Sequence, residues 1–340
     1  MKSSEYVSLG HPDKIADYIS QYILDRYIEQ DSATKYAVEV QIKDNNVTLA
    51  GEVTSNAKFD KEELSVFVKN AINEIGYNDS YKKVWGKNAI SGEESITTSF
   101  IGQQSPEIAQ GLNGWGDQGI FFGYAEPIKG TEYMPRDYAL ARTLNKKIFE
   151  SGLGGLDIKT QVITNGGIVD KIIVAIPLLE DNASLIHDIV ARYVNNRCDI
   201  IVNGTGRYVS HSSIADCGTT GRKLVVDFYG GNSKIGGGAP WTKDGSKADL
   251  TLNLYAREIA KKYSRDYGVA VQSSLACCIG MQDVDFIIRT IDGKLIEKGC
   301  KKISPLELIE RYKLDTPIYA SMCRWGLFGE YQKDKAWEQI

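Results

Sequence analysis

Several things are missing from this chain, and each absence narrows what it can be. No apolar run approaches the ~18 to 20 residues that cross a bilayer, and the opening "MKSSEYVSLG" has no apolar core of a secretory leader. Both absences point to a cytoplasmic protein without a membrane partner. Positive charge is not in excess: 40 Lys and Arg stand against 44 Asp and Glu, a net charge of −4, so no global basic field is available for nucleic acid. Only three histidines (His11, His187, His211) and six cysteines occur, and no two cysteines are spaced C-x-x-C. A zinc site and a disulfide framework are therefore not expected. A metal here would be a hard cation on carboxylates, Mg²⁺ or Mn²⁺. There is no P-loop, no H-E-x-x-H, no kinase signature set and no G-x-S-x-G. The stretch "GWGDQG" matches G-x-G-x-x-G by its letters. A polar loop precedes it and the strand-like "IFFGYA" follows, whereas a dinucleotide fingerprint needs a strand before and a helix after.

What is present is a pattern used three times. The 340 residues are 42% hydrophobic and 25% charged, enough for two or three globular domains. "KYAVEVQIK", the turn "DNN" and "VTLAGEVT" read as a hairpin followed by a helix over 60–75. "IKTQVIT", "NGG" and "IVDKIIVAI" repeat it with a helix over 181–194, and "VAVQSSLACCIG", "MQD" and "VDFIIRTI" repeat it with a helix over 305–312. The turns lie roughly 115 to 120 residues apart. Alternation leaves one apolar face on each hairpin, so helices should pack on one side of each sheet. The expected fold is α+β, in three similar ββα-containing domains over 1–98, 99–208 and 209–340. "SITTSFIG", "DQGIFFGYA" and "RKLVVDFYG" read as further strands, with helices over 136–149 and 248–263.

The chemistry concentrates in four places. "GHPDK", Gly10 to Lys14, reads as a tight exposed turn opening the amphipathic run "IADYISQYILDRYIEQ", with Asp13 as a cap and the helix N-terminus favouring an anion. "GGGAPWTKDGSKAD" sets Lys243, Lys247 and Asp249 between flexible backbone and a helix start, which suits a polyphosphate with Mg²⁺. "DCGTTGRKLVVD" places Arg222 and Lys223 at a strand start near Asp216, and "LDIKTQV" places Lys159 at the mouth of a strand. Each cationic pair alone is an ordinary solvated face. Together they demand a multiply charged anion, and a nucleoside triphosphate meets that demand.

"SEYVSLGHPDKIADYIS", "GQQSPEIAQGL", "GDQGIFFGYA", "DCGTTGRKLVVDFYGG" and "GGGAPWTKDGSKAD" closely resemble the signature segments of the S-adenosylmethionine synthetases, or methionine adenosyltransferases, in family order. The resemblance implies three α+β domains related by a pseudo-threefold. It also implies tight homodimers, sometimes paired into tetramers, with active sites shared between subunits. Its reaction is attack of the methionine sulfur on C5′ of ATP, with the triphosphate then hydrolysed to pyrophosphate and phosphate; Mg²⁺, two per site, is needed and K⁺ activates. By resemblance His11 lies beside the breaking C5′–O5′ bond, while Lys159, Arg222, Lys223 and Lys243 grip the triphosphate and support its hydrolysis. Lys14, Asp157, Arg207, Tyr208, Asp216 and Ala239 complete the ATP site, Tyr208 falling where an aromatic ring stacks on adenine. Asp13 and Asp249 match the Mg²⁺ carboxylates and Glu39 the K⁺ position. Glu52, Gln104, Asp117, Asp216 and Lys247 match the residues around methionine. The residue types suit this chemistry: a thioether carries no proton to remove, so the demand falls on cations that stabilise the leaving group.

The chain departs from the family between Gln104 and Asp117, where a longer gating segment is usual and only "SPEIAQGLNGWG" stands. Trp115 takes the place of a small residue, where it could wall methionine or pack in a subunit interface. Leu9 replaces an acidic residue, and "HSSIAD" replaces a glycine-rich approach to Asp216. Two alternatives follow: a relative that hydrolyses triphosphate but transfers poorly, and an inactive subunit that tunes a true synthetase. The second would lose charged site residues, and this chain keeps them.

Overall fold

The computed structural model describes residues 1–103, 114–194 and 197–339. The first third runs β1 (Lys2–Val7), α1 (Pro12–Gln30), β2 (Lys35–Lys43), β3 (Asn46–Thr54), α2 (Lys61–Ile75), α3 (Asp79–Trp85) and β4 (Ile96–Gly102). There follow β5 (Gly119–Ala125), α4 (Arg136–Ser151), β6 (Lys159–Asn165), β7 (Ile168–Ala175), α5 (Ala183–Ala191), β8 (Asp199–Val202), α6 (Ser212–Ala215), β9 (Gly218–Thr219) and α7 (Leu224–Asp227). The chain finishes with α8 (Ala248–Tyr267), β10 (Val271–Cys277), β11 (Asp283–Thr290), β12 (Leu295–Lys302), α9 (Pro305–Tyr312) and α10 (Tyr319–Cys323).

The described strands form three four-stranded sheets, ordered β4-β3-β2-β9, β1-β6-β7-β8 and β12-β11-β10-β5. Each is built on an antiparallel hairpin at the expected place, β2 with β3, β6 with β7 and β10 with β11. The fold is mixed α+β, as the alternation predicts. Period-two patterning sets the faces: Tyr36, Val38, Val40 and Ile42 of β2 are buried, while Glu39, Gln41 and Lys43 are exposed. One long helix covers the buried side of each sheet, α1 on β2 and β9, α4 on β1 and β6, α8 on β5 and β10.

Strands are exchanged in a cycle. β1 pairs with β6 in the second sheet, Val7 opposite Lys159; β5 pairs with β10 in the third; β9 pairs with β2 in the first, Thr219 opposite Gln41. Residues far apart in sequence are thereby drawn to one place beside α1. That helix is buried on nearly all sides, Lys14, Asp17, Gln21 and Asp25 included. Several of its buried polar groups are paired with returning chain: Gln21 Oε1 accepts Thr242 N at 2.8 Å, and Asp25 accepts Tyr319 N and Ala320 N, both at 2.9 Å.

Three local expectations are corrected. "GHPDK" is not exposed, because Gly10, Pro12, Asp13 and Lys14 are all buried beneath returning chain. The cap of α1 is His11, whose Nδ1 accepts Asp13 N at 3.1 Å, rather than Asp13. "RKLVVDFYG" is not a strand: Leu224–Asp227 is one helical turn, closed by Asp227 N donating to Lys223 O, and a short apolar run cannot distinguish the two.

Candidate active site

The first group of charged residues gathers where α1 begins. Asp13 Oδ1 accepts Thr219 N at 2.9 Å, with Arg222 Nε 3.7 Å away, and Lys223 Nζ lies 2.5 Å from Oδ2. His11 sits in the field of Lys223, Asp13, Lys159 and Asp216. Burial first, and then the Lys223 charge, push its imidazole down to about 4, so the ring is neutral at pH 7. Because Nδ1 accepts the Asp13 N–H, the proton of the neutral ring belongs on Nε2. That N–H is left to donate a hydrogen bond.

Asp157 shares this field. Its Oδ2 accepts Ser212 N at 2.9 Å. Burial raises its carboxyl to about 7, opposed by the Ser212 N–H and Lys223 and reinforced by Asp216 and Asp13. Tyr208 is raised by burial and by the Asp157 charge, so its phenol stays protonated. Lys159 pairs with Glu5 across the β1–β6 ladder at 2.8 Å. Asp216 is exposed, its Oδ1 accepting Cys217 N at 2.7 Å, and Arg207 donates to Leu179 O at 2.5 Å.

Lys14 does not join them. Its Nζ is buried 3.0 Å from Asp17 Oδ2 and 2.6 Å from Asp227 Oδ1, 4.8 Å over the Trp241 ring. Burial alone would discharge it, but the two carboxylates hold it well above its ordinary value. Asp17 Oδ1 also accepts Gly221 N at 2.9 Å, so the trio fastens α1 to the segment that carries Arg222 and Lys223.

The second group lines the open face of the first sheet. The backbone of Lys243 bridges Ala37, which stands opposite Glu52, which stands opposite Gly102. Glu52 and Lys243 are thus two strand spacings apart, ~10 Å. Lys243 Nζ lies 2.5 Å from Asp249 Oδ2. The glycine loop lets the backbone pass close to the carboxylate: a Cβ on Gly238 would sit 1.9 Å from Asp249 Oδ1 and displace that side chain. Lys247 precedes α8 with its Nζ 3.8 Å from Asp244 Oδ2. Asp117 is exposed, and its charge reaches Cys277 together with that of Asp249. Ala239 lies against Gly221, within 3.1 Å of where a Cβ there would be. Glu39 joins the two groups: Oε1 accepts the Thr242 hydroxyl at 3.1 Å and Oε2 accepts that of Thr220. Gln104, with most of the shortened segment, lies outside the described residues. Trp115 is fully buried in the chain itself, pinned to the loop after β10 by hydrogen bonds to Met281 O and from Gly280 N.

Among the described residues no three His, Cys, Asp or Glu cluster as a metal cage. Asp13 and Asp249 instead each offer a hard oxygen donor beside a lysine, which suits Mg²⁺ completed by substrate phosphates. Sequence reasoning missed Glu5, Asp17, Thr219, Thr220, Asp227 and Thr242. Asp17 stands at i+3 from Lys14, and four of the others lie inside segments already singled out; only Glu5 depended on knowing that β1 and β6 pair.

Comparison with known proteins gives the family of the chain. Residues 1–106 match the N-terminal domain of S-adenosylmethionine synthetase and residues 211–339 its C-terminal domain. The S-adenosylmethionine synthase of Mycobacterium sp. (strain KMS) is 33% identical over 392 residues, covering 99% of this chain and 96% of the relative. That of Syntrophobacter fumaroxidans is 32% identical over 383 residues, covering 99% and 95%. Both alignments exceed the 340 residues of this chain, so these relatives carry extra segments. A solved structure described as an unusual S-adenosylmethionine synthetase from Campylobacter jejuni superposes with TM-score 0.89 at 30% identity, covering 99% of this chain and 96% of that one. With both family domains matched in order around one set of charged residues, the chain belongs to the S-adenosylmethionine synthetase family, the methionine adenosyltransferases.

Proposed function

We propose that the protein makes S-adenosylmethionine from ATP and L-methionine. The methionine sulfur forms a bond to C5′ as the C5′–O5′ bond breaks; the triphosphate leaves with the electron pair and is hydrolysed to pyrophosphate and phosphate. The observation that carries this reading is His11, a neutral imidazole with Nδ1 engaged and Nε2–H left to donate, set among Lys159, Arg222 and Lys223. A donor of that kind stabilises a departing oxygen without drawing a proton from a nucleophile that has none. Lys243 adds charge to the triphosphate, and Tyr208, Asp157, Arg207, Asp216 and Ala239 bound the nucleotide. Glu52, Asp117, Gln104, Asp216 and Lys247 receive the methionine zwitterion. Lys14 acts from beneath, by holding α1 in place.

Asp13 and Asp249 would hold Mg²⁺ with the phosphate oxygens, and Glu39, with Thr220 and Thr242, would hold K⁺. Bound there, Mg²⁺ supplies neutralisation of the leaving group's charge. The two groups of residues belong, in this reading, to two chains of a homodimer. Support comes from the open face of the first sheet, where Ile96 and Phe100 are 62% and 67% exposed, Phe100 in a row with Ala50 and Glu39. Facing copies would bring the second group of one chain to the first group of the other. Three similar domains related by a pseudo-threefold are supported by three sheets each built on a hairpin; bounds at 98 and 208 divide the chain rather than the sheets, since β4 runs across 98 and β1, β5 and β9 pair outside their own thirds.

A mass-spectrometric assay with ATP, methionine, Mg²⁺ and K⁺, following S-adenosylmethionine, pyrophosphate and phosphate together, tests the reading. Equal amounts of all three are expected. Phosphate without the sulfonium would mean a triphosphatase relative, and no turnover by folded protein would mean an inactive subunit.

A further inference from the structure

His187 is exposed, but His211 is 1% exposed and boxed in by aromatic rings. Its ring meets Trp85 at 4.8 Å and 72°, Tyr81 at 5.9 Å and 79°, and Tyr77 at 6.0 Å and 34°. Both of its nitrogens are engaged. Nδ1 lies 2.8 Å from Val209 O, a carbonyl that can only accept, so Nδ1 carries the proton. Nε2 then accepts the Tyr81 hydroxyl at 2.7 Å, and the Tyr81 oxygen in turn accepts Leu156 N at 3.1 Å. The chain of donors therefore runs one way, from the backbone just before Asp157 through Tyr81 to His211.

Two further contacts make this box a support of the nucleotide group. Ser212, next to His211, has φ +54°, a left-handed conformation that serine rarely adopts, and its N–H points at Asp157 Oδ2 from 2.9 Å. Tyr77, edge-on to Tyr81 at 5.2 Å, donates to Gly10 O at 2.8 Å and so steadies the turn of His11. One buried cluster thus touches both walls of the group, the start of α1 and the Leu156–Lys159 segment.

We propose that His211 is a positioning residue: locked by Tyr81 and Val209, it holds Ser212 in its strained turn and aims the Asp157 carboxylate at the ribose and adenine side of bound ATP. This deepens, and rests on, the reading of the first group as the ATP site. Neither His211 nor Tyr81 touches substrate. Their removal should therefore raise KM for ATP more than it lowers kcat.

The test uses the full chain and Tyr81→Phe, which keeps the ring and removes only the hydroxyl, with His211→Gln as the conservative second variant. Binding of the ATP analogue adenylyl imidodiphosphate with Mg²⁺ is measured by calorimetry, beside KM for ATP, KM for methionine and kcat, at a temperature where circular dichroism shows each protein folded. Tyr81→Phe should weaken the analogue and raise KM for ATP roughly tenfold, leaving KM for methionine and kcat within about threefold. His211→Gln, which keeps an acceptor for the Tyr81 hydroxyl, should fall between the two. Unchanged analogue affinity in folded Tyr81→Phe, or equal losses toward ATP and methionine, would overturn the proposal. Wild-type protein that binds the analogue but forms no sulfonium would sink the proposed function alone, with the affinity ratio still deciding the role of His211. Wild-type protein that binds no analogue would sink both.

Discussion

Lys14 and Arg222 carry the same charge beside different carboxylates, Lys14 between Asp17 and Asp227 and Arg222 near Asp13, and removing them should have opposite signatures. Lys14 neutralises Asp17 and Asp227 with 4% of its side chain exposed, so Lys14→Met leaves two buried carboxylates and should cost ~3–5 kcal/mol in urea unfolding. KM for ATP in whatever folds should hardly move. Arg222 is 53% exposed, so Arg222→Ala should cost under ~1 kcal/mol while slowing transfer by about a hundredfold. His211 gives a pH signature. Burial lowers it to about 4, against ~6.5 when unfolded, so the unfolded chain takes up the proton first as pH falls. Its contribution is complete above pH 6.5 and drains away toward pH 4, by about 2 kcal/mol between pH 7 and 5. Buried carboxylates such as Asp25, raised by burial to about 6, act in the opposite sense. The readout is therefore the difference in pH slope between wild type and His211→Gln, whose melting temperature should fall less on acidification. At this scale the charged residues were legible, because chemistry demands particular types close to glycine. Which of them face substrate was not: burial decides that Lys14 is an anchor, and burial depends on chain 200 residues away.

Among the elements, α1 and its entry turn are closely packed against returning chain. A Cβ on Gly10 would come 2.3 Å from Leu156 O, and Leu156 is held in turn by hydrogen bonds from its N–H to the Tyr81 hydroxyl and from the Ser8 hydroxyl to its carbonyl. Gly10→Ala should cost ~1–3 kcal/mol in chemical denaturation, and His11 should be displaced with it, so transfer falls at saturating ATP. The three hairpins and the helices α2, α4 and α9 could be read from pattern because each has one mainly buried face, and α8 by its length, although its first half is buried nearly all round. α7 was misread because four residues of apolar chain have no measurable period. β1 and β8 escaped notice, being short and dependent on partners elsewhere, and β12 because it is almost wholly exposed and shows no alternation.

For the whole molecule, two groups on one chain should behave as separable halves of a shared site. Arg222→Ala and Lys243→Ala should each keep no more than about a hundredth of wild-type activity, yet mixing and reassociating them should restore about a quarter of it, since half the dimers are mixed and one of their two sites is intact. No recovery in a mixture shown to exchange subunits would place both groups in one chain's site. The cyclic exchange of strands has a further consequence, in the order of synthesis. Asp13 and Lys223 are 210 residues apart, about 10 to 40 s of translation at ordinary speed. The turn of His11 waits that long for two of its cations. A nascent chain interrupted before residue 218 has made the most reactive-looking pentapeptide in the protein, together with Lys159, but not Arg222, Lys223, Lys243 or Asp249, so it lacks most of the charge that would let it spend ATP.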